Sequence, residues 1–130
     1  MAVAEQAVEA ILEAASGVTA LVGASVYAGK APQNAGDCVI YQLVSAERQH
    51  AMGSDTGLTM SRMQVTSWAK HYSSAKAIAE ACRAALQDYT GPVGGVTVQR
   101  IFLQMEFSRG YDLESAAYGH HQEYDVWHRE

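Results

Sequence analysis

Hydrophobic positions near the start of the chain recur with helical spacing. Ala4, Ala7, Val8, Ile11, Leu12 and Ala15 follow the i, i+3, i+4, i+7 rule that draws one apolar stripe along a helix. Glu5, Glu9 and Glu13 run along the opposite side at i, i+4 steps, a mild repulsion of about a few tenths of a kcal/mol per pair. Gly17 predicts the stop of this helix, and a second short apolar turn, Val18 to Val22, ends at Gly23. The same period returns after Tyr72-Ser73-Ser74. Ala75, Ile78, Ala79, Cys82, Ala85, Leu86 and Tyr89 form one stripe, while Lys76, Glu80, Arg83 and Gln87 face out. A serine is expected as the N-cap, Glu80 and Arg83 sit at i, i+3, and Thr90-Gly91-Pro92 is expected to end the helix.

Between and after these segments the period falls to two. Ser25-Val26-Tyr27 reads as a short strand, and Ala28 to Asp37 as a loop dense in breakers. From Cys38 to Glu47, Val39, Tyr41 and Leu43 alternate with Ile40, Gln42 and Val44, so both faces of this strand are apolar enough to need cover. Ala51 to Gly57 is small and polar and predicts a mobile connection. Arg62 to Ala69 returns as a strand, Met63, Val65 and Ala69 against Arg62, Gln64, Thr66 and Trp68. Val96 to Phe107 and His121 to Arg129 read as further strands, with a loop from Ser108 to Gly119 between them. The order predicts a single α+β domain over residues 1–130, two main helices packed on a mostly antiparallel sheet with a long β-hairpin.

Composition narrows the class. At 130 residues, 48% hydrophobic and 18% charged, the chain is long enough for one cored domain and too apolar for disorder. Nine basic against 14 acidic residues argue against general affinity for nucleic-acid backbones. Cys38 and Cys82 are too few for a disulfide framework and read as small buried thiols. The start lacks a signal peptide's basic and apolar regions, and no apolar run approaches the ~20 residues that span a bilayer. The expectation is a soluble chain made in a cytoplasm, with no membrane partner.

Catalytic and cofactor chemistry find little support. His120 and His121 are neighbours, so on a strand they point to opposite faces, and His50, His71 and His128 lack ligand-spaced partners. Ser73-Ser74-Ala75-Lys76 fits S-x-x-K but has neither of its companion motifs. Gly53-Ser54-Asp55-Thr56-Gly57 lacks the G-K-[ST] of a phosphate cradle. Asp112 and Glu114 fall short of the six or more oxygens a calcium site needs. No catalytic, cofactor or metal residue is assigned, and an enzyme is not expected.

What remains is surface. Met52, Met60 and Met63 gather with Leu58 around the first pair of strands, either as adaptable contact surface or as the finish of the core beneath. Strands with two apolar faces favour assembly, since a small monomer struggles to cover both.

The ordered set of segments resembles a known family. Tyr27-Ala28-Gly29-Lys30-Ala31-Pro32-Gln33, Val39 to Ser45, Arg62 to Ala69, Tyr72 to Leu86, Gly94-Gly95-Val96 and Tyr124-Asp125-Val126-Trp127 are similar to stretches of the small tail-completion proteins, or tail terminators, of long-tailed phages and prophages. The similarity runs from about Val18 to Glu130, with departures at Thr66-Ser67 and His120-His121. It implies a virion protein, assembled in the host cytoplasm, that forms a ring, usually a hexamer. The ring caps the tail tube, ends its polymerisation, meets the head's completion protein and leaves a channel for DNA. On that reading the 46–60 loop, with Arg48, His50, Met52, Leu58 and Met60, contacts the tail tube or a neighbouring copy. Tyr111, Asp112 and Glu114 of the 108–119 loop are a second contact, and Glu5, Glu9 and Glu13 are either a solvated outer face or a lumen that repels phosphate. A neck adaptor on the portal side and a small ligand-binding domain remain alternatives.

Overall fold

The structure is a computed structural model and describes residues 3–32, 36–51, 54–114 and 116–129. Its elements are α1 (Val3–Ala14), α2 (Ser16–Val22), β1 (Val26–Ala28), β2 (Cys38–Ala51), β3 (Ser54–Ala69), α3 (Tyr72–Leu86), β4 (Gly91–Val93), β5 (Val96–Asp112) and β6 (Ala117–Arg129). The result is a single α+β unit of three helices and one six-stranded mixed sheet, in the order β1-β2-β3-β6-β5-β4. Among the described residues, only the β1–β2 pair is parallel.

The apolar stripes come together as the sequence periods dictate. Ala4, Ala7, Val8, Ile11 and Leu12 of α1 and Ala75, Ile78, Cys82 and Leu86 of α3 are buried in one core. From the sheet that core takes Val39 and Tyr41, Met63 and Val65, Val98 and Ile101, and Tyr124 and Val126. These sheet residues are in register on one face, Tyr41 opposite Val65 and Met63 opposite Tyr124. The other face carries Arg62, Gln64, Thr66 and Trp68 on β3, as the alternation predicts, and no helix residue joins it in the core. His120 and His121 fall on opposite faces, since they pair with Ser67 and Thr66 respectively.

Several expected boundaries move. Gly17 does not stop the first helix. The chain breaks at Ala15, which has extended backbone, and Gly17 lies inside α2, where a β-carbon would meet Ala81 of α3 at 4.0 Å. The N-cap of α3 is His71, not a serine, and makes no side-chain cap bond; the helix ends at Leu86, before Thr90. The connections expected at 51–57 and 108–119 are largely strand: β2 reaches Ala51, β3 begins at Ser54, β5 runs to Asp112 and β6 begins at Ala117. Cross-strand pairing supplies what local propensity does not. Met52 and Gly53, and Gln33 to Ala35 of the breaker-rich loop, lie outside the described residues.

Two contacts fix the ends of the sheet. Gly94 and Gly95, with φ of 58° and 80°, close a two-residue turn between Val93 and Val96, the primed geometry that glycines favour. A β-carbon on Gly94 would stand 2.9 Å from the Gln6 carbonyl oxygen, so α1 lies directly on this turn. On the helix-free face, the Trp68 ring lies over Gly119, where a β-carbon would meet it at 2.8 Å.

Candidate assembly surface

The polar groups of the core are structural. Gln122 donates from Nε2 to the Ala79 carbonyl of α3 at 3.1 Å and accepts the Tyr124 hydroxyl at 2.9 Å. Burial drives the Tyr124 phenol well above its ordinary range. Burial likewise pushes the Cys38 thiol up to about 11, with Asp37 adding to it, and the Cys82 thiol up to about 12. Both thiols are buried and unbridged. Among the described residues no group of three His, Cys, Asp or Glu is placed to hold a metal ion. None of their helices is long and apolar enough to cross a membrane.

The helix-free face is held by charge and ring contacts. Arg62 donates to both oxygens of Asp125, at 3.0 and 3.4 Å. His121 sits 3.0 Å from Glu123 and 3.4 Å from the Thr66 hydroxyl, and its ring lies 4.7 Å from that of Phe107.

The sequence-predicted contacts separate into two groups. Arg48 is exposed on β2, and His50 pairs with Asp55 across the β2–β3 ribbon. Met60 is half-buried on the helix-free face between Glu47 and Trp127, and half-buried Leu58 pairs with Arg129. Met63 is fully buried and belongs to the core. Met52 lies outside the described residues. Tyr111, Asp112 and Glu114 are exposed around the β5–β6 turn, where Tyr111 stacks edge-on against Tyr118 and Asp112 accepts the Glu114 amide. The two groups do not meet. Leu58 pairs with Arg129 at one end of the sheet and Ala69 with Tyr118 at the other, so the tips stand apart by about 40–50 Å of strand.

The acidic row of α1 is not a simple solvated stripe. Tyr41 of β2 donates its hydroxyl to Glu9, Glu5 and Glu9 are half-buried, and Glu13 is exposed. The carboxyl of Glu9 hydrogen-bonds to that of Glu13 and raises Glu13 above the usual carboxylate range.

Sequence reasoning named only Tyr111 of the most apolar surface. Of the eight large apolar side chains exposed among the described residues, five lie on β5 and the turn after it: Phe102, Met105, Phe107, Tyr111 and Leu113, the last 86% exposed. In the sequence Ile101, Leu103, Met105 and Phe107 alternate as one apolar face, but the irregularity at Leu103/Met105 leaves Ile101 and Leu103 toward the core and turns Met105 and Phe107 to the helix-free face.

Residues 6–129 match the family described as "Tail completion protein gp17". The chain belongs to this tail completion family. It is therefore a structural protein of the phage tail and the virion, not an enzyme. The fold of this tail completion protein is also similar to a solved chain from a "Virion of native gene transfer agent (GTA) particle". The two share 22% identity at a TM-score of 0.75, over 99% of this chain and 98% of that one. No curated protein matches the tail completion chain.

Proposed function

We propose that this chain closes into a ring, usually of six copies, that caps the tail tube, ends its growth and joins it to the head's completion protein around a DNA channel. Family membership supplies the frame, and one observation carries the reading: the exposed apolar residues concentrate on β5 and the turn after it. Exposed apolar patches of that kind mark surfaces that partners cover. The separation of the two contact groups suits such a part. Arg48, His50, Met52, Leu58 and Met60 serve one neighbour, either the tube or an adjacent copy, and Tyr111, Asp112 and Glu114 serve another. Net charge of −5 suits a channel that phosphate slides through without binding. Glu5, Glu9 and Glu13 line that channel if the helical layer faces inward.

The test is mass by light scattering for the protein alone and with its cognate tail-tube protein, followed by negative-stain imaging. A closed ring, or density at one end of tubes only, is the expected outcome. A monomer that never meets tubes rejects the reading and favours the portal-side adaptor. Removing Ser54 to Thr56 shortens the ribbon beyond the last β3–β6 pair, Leu58 with Arg129, and should leave the fold intact while abolishing ring or tail attachment.

A further inference from the structure

The sheet has two free edges, and they are complementary. The outer edge of β2 is paired by β1 only at Val39 to Tyr41, and the outer edge of β5 is paired by β4 only at Val96 to Val98. Further along β5, Ile101 accepts the Asp88 amide and the Leu103 amide donates to Gln87. Beyond these points, among the described residues, no strand covers Gln42 to Glu47 of β2 or Gln104 to Tyr111 of β5. Uncovered strand edges are templates for pairing with another chain.

Each free edge is cut by irregularities into one straight window of four residues. In β2 the register shifts at Leu43/Ser45 and Arg48/His50, leaving Ser45 to Arg48. In β5 it shifts at Leu103/Met105 and Ser108/Gly110, leaving Met105 to Ser108. Three antiparallel steps separate β2 from β5, so the two strands run in opposite directions. Placing copies side by side around an axis along the strands therefore sets β5 of one antiparallel to β2 of the next.

Geometry supports that joint. Tracing pairs across the sheet, Glu47 stands level with Trp127 and Phe107 with His121, a stagger of six β6 residues, or roughly 20 Å. Four strand spacings per copy come to about 19 Å. Together they require a strand tilt of roughly 45°, in the range that closed sheets adopt. The short strands then act as stops, β1 below the β2 window and β4 above the β5 window.

We infer that successive copies of this chain join by antiparallel pairing of the β5 window, Met105–Ser108, of one copy with the β2 window, Ser45–Arg48, of the next. The inference rests on the ring reading above and says which surfaces close it. Register follows from the faces. Ala46 and Arg48 share the helix-side face with Glu106 and Ser108, and a one-residue slip would turn apolar Met105 and Phe107 to the wrong side. Of the two face-matched registers, the one with Arg48 opposite Glu106, Glu47 opposite Phe107 and Ala46 opposite Ser108 brings opposite charges together. A head-to-tail joint of this kind uses two different surfaces, so it repeats until the rotation closes.

The experiment is oxidative cross-linking of the doubly substituted chain Ala46→Cys, Ser108→Cys, with the protein alone and with its cognate tail-tube protein. The native thiols are buried and do not compete. Directly opposed residues in an antiparallel pair stand within disulfide reach. The expected result is a ladder of reducible multimers ending at the ring size. A control, Glu47→Cys with Ser108→Cys, puts the thiols on opposite faces and should give no ladder. The reduced double variant should match the mass of the parent chain, which shows that the substitutions leave assembly intact. Closed rings without a ladder, or an equal ladder from the control, overturn the edge joint while leaving the ring reading standing. Absence of rings in the parent chain, alone and with tubes, overturns both.

Discussion

Two carboxylates show how a residue's surroundings set the sign of its effect. Glu106 is held below the usual carboxylate range, first by its hydrogen bond with His120 and then by Gln122. A lowered folded value means stability that is present above the ordinary range and lost as pH falls through the folded value. Glu13 is raised, chiefly by its hydrogen bond with Glu9, so its contribution is present at low pH and lost as pH rises through its folded value. Urea midpoints measured from pH 3 to 8 should therefore diverge for two variants. Glu13→Gln is expected to gain stability over the parent at neutral pH and to lose that gain in acid. Glu106→Gln is expected to lose stability at neutral pH and to converge on the parent in acid. Gln122 is a sharper case. Gln122→Leu leaves the buried Tyr124 hydroxyl without its partner and removes the second bond to the Ala79 carbonyl, and equilibrium unfolding should register a loss of roughly 1–3 kcal/mol. The paired variant Gln122→Leu, Tyr124→Phe should recover part of it. The bonds of Glu106 with His120 and of Gln122 with Ala79 were not legible in the sequence, because each joins residues that only the fold brings together. Glu106 and His120 are 14 positions apart, and Gln122 and Ala79 are 43.

At the scale of elements, the helices and the inward faces of the strands were legible, and the reason is period. Ala4 to Leu12 and Ala75 to Leu86 bury the stripe that 3.6-residue spacing marks, and Met63 and Val65 bury the face that alternation marks. Strand ends were not legible. Ser54 to Gly57 and Ser108 to Asp112 contain residues that favour turns, yet they extend β3 and β5 because a partner strand is already in place. The edge position of β5 was equally hidden, since it depends on where β4 stops pairing. Gly94-Gly95 reads in the sequence as a turn or a strand start, and its contact with α1 is not visible there. Gly94→Ala tests that contact. It places a β-carbon against the Gln6 carbonyl oxygen and fixes a non-glycine residue at φ 58°, so two costs add. A loss of about 1–3 kcal/mol is expected in chemical denaturation. Gly95→Ala, with open space around its β-carbon, should cost less. Equal losses at the two positions would assign the effect to backbone strain alone.

For the whole molecule, what matters is that its surfaces are unequal. One sheet edge is apolar and the other polar, one face is covered by helices and the other is not, and the two tips point in opposite directions along the strands. A part with this asymmetry suits polar assembly and disfavours self-complementary dimers. Met105→Lys tests the point at a side chain 48% exposed in the isolated chain. Thermal unfolding of the monomer should stay within about 0.5 kcal/mol of the parent, as expected for a surface change. Sedimentation velocity should at the same time lose the ring. Retention of the ring would mean that the apolar row of β5 faces some other partner.

The order of strands also has a consequence for how the chain reaches its native state. β1, β2 and β3 precede α3 in the sequence and β4, β5 and β6 follow it, and within the sheet these two sets meet along β3 and β6. That seam joins Ala69 to Tyr118 and Leu58 to Arg129, residues 49 and 71 positions apart. The β2–β3 and β5–β6 ribbons, by contrast, close from their own turns. Ribbons of that kind form within about 1–10 μs, whereas a seam between distant segments must first meet the entropy of a long loop. The chain should therefore zip two ribbons early and dock them late, with the seam as its slow step. A newly made chain would then expose both uncovered edges before its core is sealed, and the time available for wrong pairings would be set by the rate at which β3 finds β6.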